Sequence, residues 1–347
     1  MPGTYKATGI NLKGVPMGES DRLLTILTRE YGLLRAVAPG SRKHESGLRG
    51  RSGLFVVNDL FLAKGRGLDK IIQADSLESF PKLSLDLRKL TAAQYLAELA
   101  LYQALSEQPQ HDLFDTLQAS LSQLEQADGE DILPLLVQGI MQMIRLAGVA
   151  PEVELCSVTR KPIAEGNTQA RWQAGFHPAA GGLVQLSVFD KITHRERYAP
   201  TGDDPAFPDV VPFANNRNST REGEAGSTSP EPKPSAFQTQ SAPTPERRDV
   251  QEGTLVRQSR GSYRSRAPVA GTRLTANELA LLRQLGRSPQ TGSEEPFVAS
   301  AYPSETWLAM ERALRYYAQY HLERTIQSAS LMDSCFAPLP STVLPHA

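Results

Sequence analysis

Arg22-Leu23-Leu24-Thr25-Ile26-Leu27-Thr28-Arg29-Glu30-Tyr31-Gly32-Leu33-Leu34-Arg35-Ala36-Val37-Ala38 is the stretch on which the fold turns. Two apolar runs flank the tight connection Arg29-Glu30-Tyr31-Gly32, which is a hairpin signal. Working outward, residues 5–12 form a short strand bounded by Gly14 and Pro16. Leu54-Phe55-Val56-Val57-Asn58-Asp59-Leu60-Phe61-Leu62 reads as a fourth strand, polar only at its middle, and Gly65-Arg66-Gly67 turns it into Lys70-Ile71-Ile72-Gln73-Ala74. Five short strands within about eighty residues predict a small closed barrel of the OB kind. An SH3-like barrel would give the same pattern.

Pro81 ends this block and the period becomes helical. Leu90, Ala93, Ala97, Ala100 and Ala104 recur at spacings of three and four, with Leu96, Leu99 and Leu101 on a second face, so this helix is expected to be buried. Leu113, Leu117, Leu121 and Leu124 mark a second helix. A third, with Leu136, Ile140, Met143 and Ile144 inward, starts at Asp131 as cap and stops at Gly148 and Pro151. Residues 150–199 look irregular, with short strands at 172–176 and 182–186. Residues 200–270 are dense in Pro, Ser, Thr, Gly and charge and cannot bury enough surface to offset their ordering entropy, so a disordered insertion is expected there. Thr275 with Glu278 is a capping box that opens a helix over 276–285. A last helix runs over about 304–326, with Trp307, Met310, Leu314 and Tyr317 on one face, and a flexible tail over 329–347 is expected. The fold class is therefore α+β. A barrel over 1–80 is followed by a helical domain, 81–199 and 271–328, whose helices on both sides of the insertion should pack together.

The chain has 347 residues and a net charge of −1. It contains no apolar run of the length that spans a membrane, and its start lacks the apolar core of a secretory signal. Its only two cysteines, Cys156 and Cys335, are not a disulfide framework, which fits a reducing, cytoplasmic setting. Phosphate-binding loops, dinucleotide fingerprints and nucleophile elbows are absent from the sequence, and the six histidines show no metal spacing. Cys156 and His177 read as a buried thiol and a surface histidine, not as a nucleophile and its base. The chain is thus expected not to be an enzyme and to carry neither cofactor nor metal.

Charge is uneven. Residues 1–80 hold twelve Lys and Arg against eight Asp and Glu, a surplus of four positive charges, which leaves the remainder five negative. Arg42, Lys43, Arg49 and Arg51 lie between the third and fourth strands among Gly40, Ser41, Ser46, Gly47 and Gly50. A flexible, glycine-rich, basic loop there would suit phosphates, which need cations and close backbone approach. Arg22 and Arg35 are on neighbouring strands, and Lys64 and Arg66 are at the next turn. These eight are the candidate DNA-contacting residues. Before Phe80, the aromatics available for stacking bases are Tyr5, Tyr31, Phe55 and Phe61.

Several stretches resemble the RecO family of recombination mediators. They are Gly9-Ile10-Asn11-Leu12-Lys13, Gly18-Glu19-Ser20-Asp21-Arg22 with the run that follows it, Ala38-Pro39-Gly40-Ser41-Arg42-Lys43, Leu146-Ala147-Gly148-Val149-Ala150-Pro151-Glu152, Phe176-His177-Pro178-Ala179-Ala180-Gly181-Gly182-Leu183, and Ala313-Leu314-Arg315-Tyr316-Tyr317-Ala318-Gln319-Tyr320-His321-Leu322. The resemblance implies an OB-fold domain on a helical domain. It also implies binding of single- and double-stranded DNA, annealing of complementary strands, and cooperation with RecR on strands coated by single-strand-binding protein (SSB), so that RecA can load. Nucleoid association follows from that role. The acidic, apolar-ended SSB tail would suit cations beside leucine-rich helices, and Arg145, Arg315 and Arg324 are the candidates. Some family members hold zinc with two Cys-x-x-Cys pairs. Here Cys156 matches one ligand while Thr159, Gln185 and Val188 stand at the others, so the segment is zinc-finger-like but degenerate. Two other readings remain beside this one, an OB-fold RNA-binding factor and a protein scaffold that uses its helical face.

Overall fold

The computed structural model describes residues 3–163, 172–198, 271–287 and 301–336. The expected insertion over 200–270 lies outside the described residues. Five strands, β1 (Thr4–Met17), β2 (Asp21–Thr28), β3 (Gly32–Ala38), β4 (Val57–Ala63) and β5 (Asp69–Glu78), close a barrel in the order β1-β2-β3-β5-β4. Only β3 and β5 pair in parallel, and this order is that of an OB fold.

The hairpin that decides the fold is present as read, with Thr28 opposite Gly32 and Arg22 opposite Ala38. Gly32 has φ +65°, which only a residue without Cβ adopts at no cost. The first strand is longer than its glycine and proline suggest, because a bulge between Asn11 and Lys13 re-aims it and lets Gly14 to Met17 pair with β2. The β3–β4 connection is not simply a flexible loop, since it contains one helical turn, α1 (Leu48–Arg51). Phe55 is not in a strand. It sits at φ +61°, a strained conformation for an aromatic residue, and is buried.

Two cores explain the architecture. Ala7, Leu24, Ile26, Ala36, Leu60, Leu62 and Ile71 fill the barrel. Ile10, Leu12, Leu27, Phe55 and Val57 instead join the core of the helices, so one end of the barrel is continuous with the helical body. Arg29 adds an ion pair to Asp115 at 2.7 Å and lies 5.9 Å over the Phe114 ring.

The helical body is built from α2 (Leu87–Gln103), α3 (His111–Gln126), α4 (Ile132–Leu146), α5 (Leu186–Tyr198), α6 (Ala276–Gly286), α7 (Ser304–Leu322) and α8 (Ala329–Cys335). Helix α2 is central. Asp86 caps it, accepting the Arg88 N–H at 2.8 Å, and α4 packs on it so closely at Gly139 that a Cβ there would lie 2.9 Å from Leu96 of α2. Helices from both sides of the 200–270 segment pack together, α4 against α6 and α7. The capping box at Thr275 and Glu278 is formed.

Four expectations are corrected. Asp131 makes no side-chain capping bond. The segment expected to be irregular apart from two short strands also contains α5, and those strands join a third from beyond the insertion in a small sheet, β7 (Gly182–Val184)-β6 (Ala174–His177)-β8 (Thr272–Leu274). His177 is buried there and not on the surface. The tail is helical as far as Cys335, because Ala329 and Met332 find a buried seat on α2. Among the described residues, no helix is long and apolar enough to cross a membrane.

Candidate nucleic-acid interface

The β3–β4 connection is held at both ends. Asp21 accepts the Gly40 N–H at 2.7 Å and the Ser20 hydroxyl at 2.8 Å, and these bonds, with Lys43 and Lys70 nearby, keep its carboxyl below the ordinary range. The Arg42 N–H donates to Ser20 O and its guanidinium to Gly18 O at 3.0 Å, which ties the connection to the β1–β2 turn. At the far end, buried Asn11 and Asn58 donate to Arg51 O at 2.7 and 3.0 Å. Arg22 donates to the Ser52 hydroxyl at 3.1 Å, and Arg51 to Gly47 O, with Asp75 3.6 Å away. Arg22, Arg42 and Arg51 therefore spend part of their donor capacity on the loop itself. Lys43 and Arg49 are exposed and have no carboxylate at ion-pair distance among the described residues. Lys43 borders a shallow hollow of about 450 Å³ with His44, Glu45 and Ser46.

Arg35, Lys64 and Arg66 do not join that hollow. They border a separate cleft of about 780 Å³, floored by Tyr5 and Tyr31 and walled on one side by Ser106 and Glu107 from the α2–α3 connection. The two tyrosine rings meet edge to face, with centroids 5.0 Å apart. The Tyr5 hydroxyl donates to Asp69, and burial together with that carboxylate pushes its pKa up, so it remains a neutral donor. The other Asp69 oxygen accepts the Gly65 N–H at 2.9 Å. Lys64 meets Glu107 at 3.5 Å, both of them exposed. Of the four aromatics available for stacking, the register brings Tyr5 and Tyr31 together. Phe55 goes to the helical core and Phe61 is half-buried elsewhere on β4.

The three helical-domain cations do not form one surface. Arg315 is buried, bonded to Glu311 at 2.9 Å and to Asp333 at 3.1 Å, so it is not available to a partner. Arg145 is half-buried and donates to Leu285 O. Arg324 alone is exposed, on a groove of about 1080 Å³ lined by Leu12, Lys13, Leu54, Leu101 and Leu331 among others.

In the segment expected to be a degenerate zinc finger, Thr159 and Gln185 are brought to Cys156. Their backbone N–H groups donate to its sulfur at 3.5 and 3.4 Å, and the Thr159 hydroxyl donates to the Gln185 side-chain oxygen at 3.3 Å. Hydrogen bonds close the turn where four thiolates would hold a metal. Among the described residues, no group of His, Cys, Asp and Glu has the arrangement of a metal site.

The fold and site define an OB-fold protein that carries two groups of exposed cations on its barrel, fused to a helical body. Residues 1–80 match the family profile described as Recombination protein O N terminal, and residues 84–197 match the one described as Recombination protein O C terminal. The chain is 43% identical over 343 residues to the DNA repair protein RecO of Cyanothece sp. (strain PCC 7425 / ATCC 29141), covering 98% of each chain. It is 43% identical over 343 residues to that of Acaryochloris marina, again over 98% of each, and 35% identical over 342 residues to that of Thermosynechococcus vestitus, with 98% of each covered. This chain belongs to the RecO family.

Proposed function

We propose that this chain is a recombination mediator in DNA repair that holds single and double strands on its barrel, anneals complementary strands and, with RecR, helps RecA load on SSB-coated DNA. It does so by binding, without catalysis. The observation that carries the reading is that Arg35, Lys43, Arg49 and Arg66 stand exposed on one OB barrel, with no carboxylate at ion-pair distance among the described residues. Such cations release counterions from phosphates, and two separate groups of them suit two strands held on one protein. Family membership and the names of its relatives point the same way. For the SSB tail, the groove beside Arg324 is the better candidate, since it joins a cation to exposed leucines.

The test is an annealing assay with complementary strands, bare and SSB-coated, together with affinities for DNA and RNA of one sequence. Faster annealing on both substrates is expected, with DNA bound at least as tightly as RNA. A clear preference for RNA without annealing would turn the reading into that of an RNA-binding factor.

A further inference from the structure

We propose that the Tyr5–Tyr31 cleft is a receptor for one unpaired nucleobase of a DNA strand, with Arg35, Lys64 and Arg66 receiving the flanking phosphates. This rests on the DNA-binding reading above and deepens it, because it adds to a salt-dependent, sequence-blind attraction a subsite that discriminates paired from unpaired bases.

The rings are held ready. Tyr31 is 42% exposed, so its ring is open to a partner that enters the cleft. Its turn is nonetheless rigid. The Tyr31 N–H donates to the Thr28 hydroxyl, and Leu33 N–H and Gln110 N–H bridge the turn to the α2–α3 connection, each at 2.9 Å. A Cβ at Gly32 would lie 2.0 Å from Leu105 O, so the turn can sit there only as glycine. Tyr5 is fixed through its hydroxyl by Asp69, whose charge is thereby engaged with Tyr5 and the Gly65 N–H and not aimed at a phosphate. Little ordering is left to be done when a base arrives.

The opening suits a nucleotide. A volume of about 780 Å³ falls in the range of small-ligand sites. Gly3, Gly65 and Gly67 lie in the lining, and a Cβ added at Gly3 or Gly67 would meet nothing, so the backbone there leaves room for a sugar and phosphate to come close. Aromatic faces stack any base, but a base inside a duplex already has both faces covered by its neighbours, so only an unpaired one can enter.

The experiment compares wild-type protein with Tyr31→Ala and Tyr31→Trp on three probes of equal length: oligothymidylate, a duplex, and an abasic strand. Matched thermal unfolding of the three proteins establishes that the exposed side chain was removed without loss of fold. Tyr31→Ala is expected to weaken oligothymidylate binding by about 5- to 150-fold without changing the log–log salt slope, since stacking carries no charge. Tyr31→Trp should restore affinity. Duplex and abasic strand should be bound alike by all three proteins. Unchanged oligothymidylate affinity in Tyr31→Ala, or an equal loss on the duplex or the abasic strand, overturns the base receptor while leaving DNA binding intact. Failure of the wild type to bind any probe overturns the functional reading itself.

Discussion

Arg315 on α7 and Arg66 on the β4–β5 turn are the same residue type, and they meet opposite fates. Arg315 is enclosed by α2, α7 and α8 with Glu311 beside it on its own helix, and the two carboxylates it bonds cancel its charge inside the protein. Arg66 stands on a barrel loop, beside Arg35 of β3, where the nearby carboxylate of Asp69 already serves a tyrosine and a backbone N–H. An arginine advertises a partner only where the fold has left its charge unanswered. The contrast separates cations that hold the protein together from cations that face outward.

The largest expected effect lies in the helical body. Arg315→Met would leave Glu311, whose side chain is fully buried, without its counter-charge. A loss of about 3–5 kcal/mol of unfolding free energy in urea is expected, and the double variant with Glu311→Gln should recover much of it. The DNA affinity of molecules that remain folded should not change. A stable single variant would break the comparison from this side.

On the barrel the effect is on binding. Replacing Arg35, Lys64 and Arg66 together by alanine should lower the log–log salt slope for single strands by about 2, or about 0.7 per lost contact, with folding intact. Lys43 and Arg49, replaced as a pair, should lower it by about 1.4. Arg42 is best left in place, because its guanidinium holds Gly18 O and its loss would loosen the loop. Slopes equal to wild type in both variants would move the DNA site off the barrel.

Acid should act on the helical pair, as it should on Asp21 of the barrel, whose carboxyl is also held below its ordinary range. The Arg315 guanidinium holds the Asp333 carboxyl below its ordinary value of 3.8, so this pair contributes stability above that pH, and the contribution is lost as pH falls through the depressed value. Asp333→Asn should therefore flatten the fall in melting temperature below about pH 4, and an unaltered acid limb would count against the pairing. A smaller effect is expected at Glu107, which sits at φ +61° and pairs with Lys64 across the cleft. Glu107→Gln frees that lysine and should raise single-strand affinity by up to about fivefold. The smallest expected effect is none: dialysis against a chelator should leave the melting temperature where it was, because the Cys156 sulfur accepts the backbone N–H groups of Thr159 and Gln185 and neither side chain there is a thiolate. Stoichiometric zinc in the purified protein would contradict this.

Much of the architecture is legible in the residues because it depends on local pattern. The hairpin around Arg29-Glu30-Tyr31-Gly32, the capping box at Thr275 and Glu278, and the leucine period of α3 all rest on residues a few positions apart. Helix α5 and strand β8 are less legible. The polar run of α5 carries a weak apolar stripe, and β8 is three residues that pair, among the described residues, with a strand about a hundred positions earlier. Helix α8 reads as a frayed tail because its two buried residues, Ala329 and Met332, are short of a recognisable period.

For the candidate site the division follows the same line. Composition and spacing alone place a surplus of cations in the first eighty residues and name the aromatics there, because charge and residue type are properties of the chain itself. Which of those cations face outward, and which two rings meet, is decided by tertiary structure. Tyr5 and Tyr31 come together because the start of β1, still paired with β4, runs beyond its pairing with β2 and alongside the β2–β3 turn, and Phe55 is lost to the site because its left-handed backbone turns it into the helical core. Arg315 and Arg66 are indistinguishable as letters. Their roles differ because a carboxylate's position in space, and the water it excludes or admits, is set by packing that brings distant residues together and that no local pattern encodes.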